Sequence, residues 1–278
     1  MSGILYVTGT PIGNLEDITL RQLRILEEVD FIAAEDTRVT RKLLTHFDLH
    51  TKLTSCNEHS TPAVFEEIAD RIQNGENCAV VTDAGMPCIS DPGEKLVKVC
   101  REREIRVESV PGASAVITAL SVCGGSTARF VFYGFLPTGS KEKKLRKQFI
   151  SEIASEQKTC VLYEAPHKLC KTLEDLAQVL DGNRVISFCR ELTKIHEEVL
   201  RMTLTEAVSY YAEHEPRGEF VLVLDGATPE QQEISLDDAV RLANTYLEQG
   251  MSPTTACKLA SKETDVPKQE IYKALHEE

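Results

Sequence analysis

Short aliphatic and β-branched runs alternate with stretches of helical period along the first 120 or so residues. "ILYVTG", "FIAAED", "CAVVTDAG" and "RVESVPG" read as strands, whereas "ITLRQLRILEEV", "AVFEEIADRIQNG", "GEKLVKVCREREI" and "ASAVITALSVC" read as helices. Strand, helix, strand, helix predicts a parallel α/β sheet. After the Gly-Gly of "VCGGST" the rhythm resumes with "FVFYGFL", a charged helix in "KEKKLRKQFISEIA", then "TCVLYEAP", "KLCKTLEDLAQVLDG", "RVISFCREL" and "GEFVLVLDG", which predicts a second α/β unit. Beyond "TPEQQEIS" the pattern is wholly helical. Gly and Ser cluster between the two units, so the expected division is an N-terminal α/β domain over 1–122, a second α/β domain over 123–228 and a helical segment over 229–278. In that last segment Ser252 and Pro253 have the positions of an N-cap and N1, and helix, short turn, helix follows.

Composition narrows the classes of function. The chain has 278 residues, 42% hydrophobic and 27% charged, which suits a globular protein with a substantial core. A formal charge of -13 argues against gripping nucleic acid by bulk electrostatics, so a polyanionic partner has to be met by local basic patches. The nine cysteines form no CxxC pair, and several sit inside apolar runs, as in a reducing compartment. No run approaches the ~18 apolar residues of a membrane span, and the start has no basic n-region. The expectation is a cytoplasmic protein with no membrane attachment.

In an open parallel sheet, ligands bind beyond the carboxyl ends of the strands. Four loops at such ends are unusual: "TGTPIGN" (8–14), "TDAGMPCISDPG" (82–93), "VPGASA" (110–115) and "YEAPHK" (163–168). None is a P-loop or a GxGxxG, although Glu35 and Asp36 follow Gly13 at about the interval of a ribose-binding acid. A nicotinamide-dependent oxidoreductase is therefore a weak rival. Pro and Gly together make rigid loops whose bare backbone can read a base and a ribose without charged side chains. Any one such loop is also compatible with a mere tight connection; four at one sheet edge suit a nucleoside-bearing cofactor. No His, Cys or carboxylate cluster has metal-ligand spacing, and no metal is expected.

The motifs "TPIGNLEDITLRQL", "AAEDTR", "TDAGMPCISDPG", "VPGASA", "YGFLP", "YEAPHK", "RELTKIHEE" and "RGEFVLVL" occur in order from about residue 3 onward. Together they resemble the tetrapyrrole-methylase-like S-adenosylmethionine methyltransferases, and within them the ribosomal RNA branch. The resemblance implies two α/β domains with S-adenosylmethionine folded in the cleft between them, and a small helical C-terminal segment. It implies methylation of the ribose 2'-hydroxyl of a cytidine in the decoding region of 16S rRNA, on naked RNA or on the assembled small ribosomal subunit, by a homodimer. It places Asp83, Gly85, Met86 and Ile89 at the methionine end of the cofactor, Ser114 and Ala115 near the adenosine, Pro11 in the first-domain wall, and Tyr163, Leu192 and Phe220 over the adenine. A tetrapyrrole or other small-molecule methylase on the same fold, and a non-catalytic nucleotide-binding module, are the alternatives.

Methyl transfer to a hydroxyl is an in-line displacement at a sulfonium methyl, so catalysis rests on alignment and on a destination for the hydroxyl proton. Candidates to line the acceptor side are Glu35, Asp36, Arg38, Glu191 and Lys194, with His59 and His167 as further proton acceptors. Each has a plainer reading: Asp36 with Arg38 as a structural pair, His167 as a helix cap, Glu191 with Lys194 as an ion pair one helical turn apart. For RNA, Lys141, Lys143, Lys144, Arg146 and Lys147 form a basic run beside "YGFLP", and Arg38, Arg41 and Lys42 form a smaller patch. From Ser235 onward there are five Lys or Arg against eight Asp or Glu, so the helical tail departs from the charge of a nucleic-acid reader and a packing role is equally open.

Overall fold

The structure, a computed structural model, describes residues 2–91, 93–228 and 235–275. Two compact units divide the chain, 1–227 and 228–278. The first contains two five-stranded sheets, the expected pair of α/β layers.

Strands β1 (Ile4–Thr8), β2 (Phe31–Ala34), β3 (Lys52–Ser55), β4 (Cys78–Val81) and β5 (Arg106–Val110) form the first sheet in the order β3-β2-β4-β1-β5. Every pairing in it is parallel. β2 and β4 are buried at every position, as expected of parallel strands covered on both faces. Helices α1 (Leu20–Glu28), α2 (Thr37–His46), α3 (Pro62–Gln73) and α4 (Glu94–Glu102) make the crossovers. Two apolar clusters flank the sheet, one around Phe31, Ile68, Ile72 and Leu96, the other around Leu26, Ile32, Leu44 and Val81. The chain leaves β1 toward β2 on one side and leaves β4 toward β5 on the other. Neighbouring strands whose connections depart in opposite directions open a crevice at their carboxyl ends.

Strands β6 (Phe130–Phe135), β7 (Thr159–Glu164), β8 (Val185–Arg190), β9 (Glu198–Thr203) and β10 (Phe220–Leu224) form the second sheet, in the order β6-β7-β10-β8-β9. Only β6 and β7 are parallel; β7–β10, β10–β8 and β8–β9 are antiparallel. Helices α6 (Lys143–Ser155), α7 (Pro166–Ala177) and α8 (Leu204–Glu213) cover one face around Leu162, Leu169, Leu173 and Phe188. The other face is covered by α5 (Ala115–Val122), whose Val116, Ala119 and Leu120 pack with Val161, Cys189, Val221 and Val223. Thus α5, which a boundary at residue 122 assigns to the first domain, spends its apolar face on the second sheet. Its helical moment is weak because this run, "AVITALSV", is apolar nearly all round.

The second unit consists of α9 (Leu236–Glu248), α10 (Pro253–Thr264) and α11 (Lys268–Ala274). Ala239, Ala243, Cys257, Ala260 and Ile271 make its core. Ser252 caps α10 by accepting from the Thr255 amide at 3.3 Å, with Pro253 at N1, as the sequence predicts. Residues 229–234 and 276–278, part of the expected helical segment, lie outside the described residues. Among the described residues no helix is long and apolar enough to cross a membrane.

Candidate active site

A cleft of about 520 Å³ lies between the carboxyl edge of the first sheet and the second sheet. From the first sheet it receives the loops after β1, β4 and β5, three adjacent strands: Ile12, then Thr82 to Met86 with Ile89 and Asp91, then Ser114 and Ala115. The first two loops are tied by a short antiparallel bridge. The Thr10 amide donates to the Gly85 carbonyl at 2.9 Å and the Gly85 amide to the Thr10 carbonyl at 3.1 Å. Thr10 Oγ1 adds a hydrogen bond to the Thr82 carbonyl at 3.1 Å. Gly85 has φ of +87°, and a Cβ there would stand 3.3 Å from Ile12 Cγ2. Cys88 and Ser90 hold φ of 71° and 61°, so the "TDAGMPCISDPG" loop contains left-handed turns at non-glycine residues as well.

From the second sheet come Phe135, Tyr163 to His167, Cys189, Leu192, Lys194 and the start of β10. Phe220 is in register with Glu164 of β7 and Arg190 of β8, which gathers two strand ends and one strand start at a single edge. Phe135 packs against Tyr163 with the rings tilted and their centroids 5.4 Å apart. A bulge after Phe132 turns β6 toward this edge, and at Gly134 a Cβ would lie 3.0 Å from Ser90 Oγ.

Charges are unevenly distributed. Thr82 Oγ1 donates to Glu35 Oε2 at 2.5 Å, and the Asp83 amide to the same oxygen at 3.2 Å. The Asp83 carboxylate in turn accepts from the Asp36 amide at 3.1 Å. Asp91 also lines the cleft; burial, and then the neighbouring Glu35 carboxylate, push its pKa up to about 6. Burial and Glu35 raise Asp83 as well. Opposite them, Lys194 Nζ donates to Glu191 Oε1 at 2.8 Å and to Glu219 Oε2 at 2.9 Å. The hydrogen bond from Lys194 holds Glu191 below the usual carboxylate range, and despite burial the two carboxylates keep Lys194 protonated. Residues 191–197 are turns, not the helix that an i, i+3 pair suggests, and Glu191 and Thr193 have φ of 52° and 67°. Gly13 allows this turn to approach: a Cβ there would fall about 2.5 Å from Lys194 Cγ.

Of the expected cofactor-side residues, Asp83, Gly85, Met86, Ile89, Ser114, Ala115, Tyr163, Leu192 and Phe220 line the cleft. Pro11 does not; its neighbour Ile12 does. Of the expected acceptor-side residues, Glu35 and Lys194 line it, whereas Asp36, Arg38 and Glu191 are not among the lining residues. Asp36 caps α2 through the Arg38 amide at 2.8 Å and pairs with the Arg38 guanidinium at 2.6 Å, which depresses its pKa to about 2. His167 lines the cleft but does not cap α7, whose N-cap is Ala165. His59 is not among the lining residues. Sequence reasoning missed Asp91, Phe135, Glu164 and Glu219. Asp91 was within reach, since it lies inside the same Gly- and Pro-rich motif.

A crevice at the carboxyl edge of one parallel sheet, faced by a mixed second sheet, is the architecture of the two-domain methylases. Solved structures of that kind match it: the methyltransferase CobJ covers 81% of this chain and 95% of its own at TM-score 0.62 and 18% identity. A Thermus thermophilus uroporphyrin-III C-methyltransferase complexed with S-adenosyl homocysteine covers 80% and 97% at TM-score 0.56 and 17% identity. The family model of the tetrapyrrole (corrin/porphyrin) methylases matches residues 4–208. The chain belongs to the tetrapyrrole (corrin/porphyrin) methylase family, as its motifs led one to expect, and it is a methyltransferase. It is 44% identical over 274 residues to the ribosomal RNA small subunit methyltransferase I of Synechocystis, spanning 97% of this chain and 96% of that protein. The protein of the same name from Vibrio cholerae is 42% identical, spanning 97% and 93%.

Proposed function

We propose that the chain transfers the methyl group of S-adenosylmethionine to the ribose 2'-hydroxyl of a cytidine in the decoding region of 16S rRNA. The methyl donor and the ribosomal RNA substrate follow from relatives that match nearly the whole chain and from the structural neighbour complexed with S-adenosyl homocysteine. The observation that carries the reading within this molecule is the lining of the cleft. Its volume of about 520 Å³ suits a nucleoside-sized ligand. Apolar surface from Ile12, Ala115, Phe135 and Leu192 suits a base, backbone from the three loops suits a ribose, and the Asp83 and Asp91 carboxyls suit a ligand carrying positive charge. S-adenosylmethionine fits that donor set, and when bound it supplies an electrophilic methyl group on a cationic sulfur.

The chain's own residues then have distinct work. Glu35, a lining residue, uses Oε2 to hold Thr82 and the Asp83 amide, which fixes the loop after β4; Oε1 makes no hydrogen bond among the described residues. Lys194, kept protonated between Glu191 and Glu219, orients the incoming ribose and lowers the cost of charge developing on its oxygen. Glu191, with its pKa depressed, serves as the anchor of Lys194 rather than as a proton acceptor. Asp36 and Arg38 shape the start of α2 behind Glu35. Lys141, Lys143, Lys144 and Lys147 supply phosphate contacts.

A cytoplasmic location and a homodimer belong to the same reading, as does a three-part division of the chain near residues 122 and 228. Ile117 and Val122 of α5, 55% and 42% exposed, supply apolar surface for a second copy. Mapping ribose methylation in 16S rRNA from cells lacking the protein tests the function. A single 2'-O-methyl in the decoding region should be absent and should return on complementation with the wild-type chain. An unchanged methylation map would rule the substrate out.

A further inference from the structure

A groove of about 940 Å³ runs between α6 and α7. Lys143 and Lys147 stand on the α6 wall, and Lys168 and Lys171 on the α7 wall. His167 lines both this groove and the methyl-transfer cleft, so the two are contiguous at one side chain. In a chain with a formal charge of -13, this surface gathers four lysines and Arg146 around a single carboxylate, Asp175.

The cations are not equivalent. Arg146 Nε donates to Asp175 Oδ2 at 2.9 Å, Nη2 to Thr172 Oγ1 at 3.0 Å and Nη1 to the Pro137 carbonyl at 3.3 Å. Thr172 passes its own hydroxyl hydrogen to Glu164, a cleft residue, at 2.5 Å. Arg146 is therefore committed to joining α6 to α7 and to the cleft wall, and it neutralises the one acid of the groove. Lys171 Nζ lies 3.0 Å from Asp175 and is partly committed too. Lys143, Lys147 and Lys168 form no ion pair with any described residue. Left unpaired on facing walls, they make a site for an anion that extends along the groove rather than for a point charge. From Lys143 to Ser151 the eight rises of the helix span about 12 Å, room for a few consecutive backbone phosphates.

The geometry points to a track for the RNA sugar-phosphate backbone in this groove, with Lys143 and Lys147 on one side and Lys168 on the other holding the strand that flanks the reacting nucleotide. The inference rests on the ribosomal RNA reading above and deepens it. It removes Arg146 from the contacts, as a positioning residue, and adds Lys168 from a helix outside the basic run. The preference for RNA over an acidic protein surface comes from the groove's continuity with a cleft that must admit a ribose.

The triple variant Lys143→Ala, Lys147→Ala, Lys168→Ala of the full chain tests it, by filter binding to a 16S rRNA fragment at several salt concentrations. The log-log salt slope should flatten by roughly 2 units, at about 0.7 for each single-strand phosphate that no longer has a lysine to neutralise it. Cofactor affinity and melting temperature should stay at wild-type values. If the wild type methylates 16S rRNA and the triple variant keeps the full salt slope, the groove is off the RNA path and the inference falls while the function stands. If the variant loses affinity for assembled subunits but not for naked RNA, the occupant is protein and the inference also falls. A wild type that methylates no ribosomal RNA would remove both.

Discussion

The two walls of the cleft are built by different means. The first sheet faces the cleft with three loops rich in Gly, Pro and small residues, cross-tied at Thr10 and Gly85 and turned by left-handed residues, so that main chain makes up much of that wall beside Ile12 and the Asp83 and Asp91 carboxyls. The second sheet faces the cleft with side chains: Phe135 tilted against Tyr163 at 5.4 Å, Leu192 and Phe220 beside them, and Lys194 clasped by two carboxylates. A wall of main chain recognises by shape and admits no added atom. A wall of side chains recognises by apolar area and charge, and tolerates change in proportion to what each group contributes.

The sharpest break in that contrast comes from Gly85→Val. A β-branched residue at φ of +87°, with Ile12 3.3 Å from its Cβ, costs about 1–3 kcal/mol of backbone strain and displaces the loop. Affinity for S-adenosylmethionine, by calorimetry, should fall by about 100-fold or more, together with a lower melting temperature. A variant with undiminished affinity would take the loop out of the site.

On the opposite wall the expected effect is smaller and differently distributed. Lys194→Met keeps the length of the side chain and loses its charge, leaving Glu191 and Glu219 without their shared donor. Turnover at saturating cofactor should fall roughly 10- to 100-fold, the worth of a hydrogen bond from a charged group at about 1.5–3 kcal/mol, with cofactor affinity within about a factor of three of wild type. Equal loss of affinity and turnover would place Lys194 on the cofactor side instead.

The smallest effect concerns Asp91. Its folded pKa of about 6 lies above the ordinary 3.8, so the folded state binds more protons across that interval. The stabilisation from its protonated form is complete below about pH 4 and is lost as the pH rises through about 6. Asp91→Asn should therefore raise the melting temperature at pH 8 by roughly 2–5 °C, and the gain should vanish near pH 4. A gain independent of pH would mean that burial of the Asp91 charge is not its origin.

The same contrast explains how much of the site could be read beforehand. A main-chain wall leaves its record in consecutive residues, because Gly and Pro are needed where the backbone turns; the loops 82–93 and 110–115 stand out for that reason, while Asp83, Gly85, Met86, Ile89, Ser114 and Ala115 within them are assigned by the family resemblance and line the cleft. The alternation that predicts the first sheet was equally plain for β1, β2, β4 and β5. It missed β3, "KLTS", four residues with no buried side among them. Likewise β9 hides in "EVLRMT", an edge strand with no buried residue. A side-chain wall is assembled from residues far apart in sequence, by strand register. Phe135 and Glu219 lie inside the motifs "YGFLP" and "RGEFVLVL", but nothing local shows that they share one cleft; the antiparallel insertion of β10 between β7 and β8 is what brings the strand ends together. Arg146 marks another limit: membership of a basic run does not show that its guanidinium bonds to Asp175, Thr172 and the Pro137 carbonyl.

The pair of hydrogen bonds between Thr10 and Gly85 fixes two lengths at once. One residue separates Thr10 from the last residue of β1, Thr8, and three separate Gly85 from the last residue of β4, Val81. An inserted or deleted residue in either interval would carry one amide past its carbonyl and release the other loop as well. Opening is likewise joint, so the Thr10 and Gly85 amides should exchange with solvent deuterium at one common rate, as two halves of a clasp rather than as two loops.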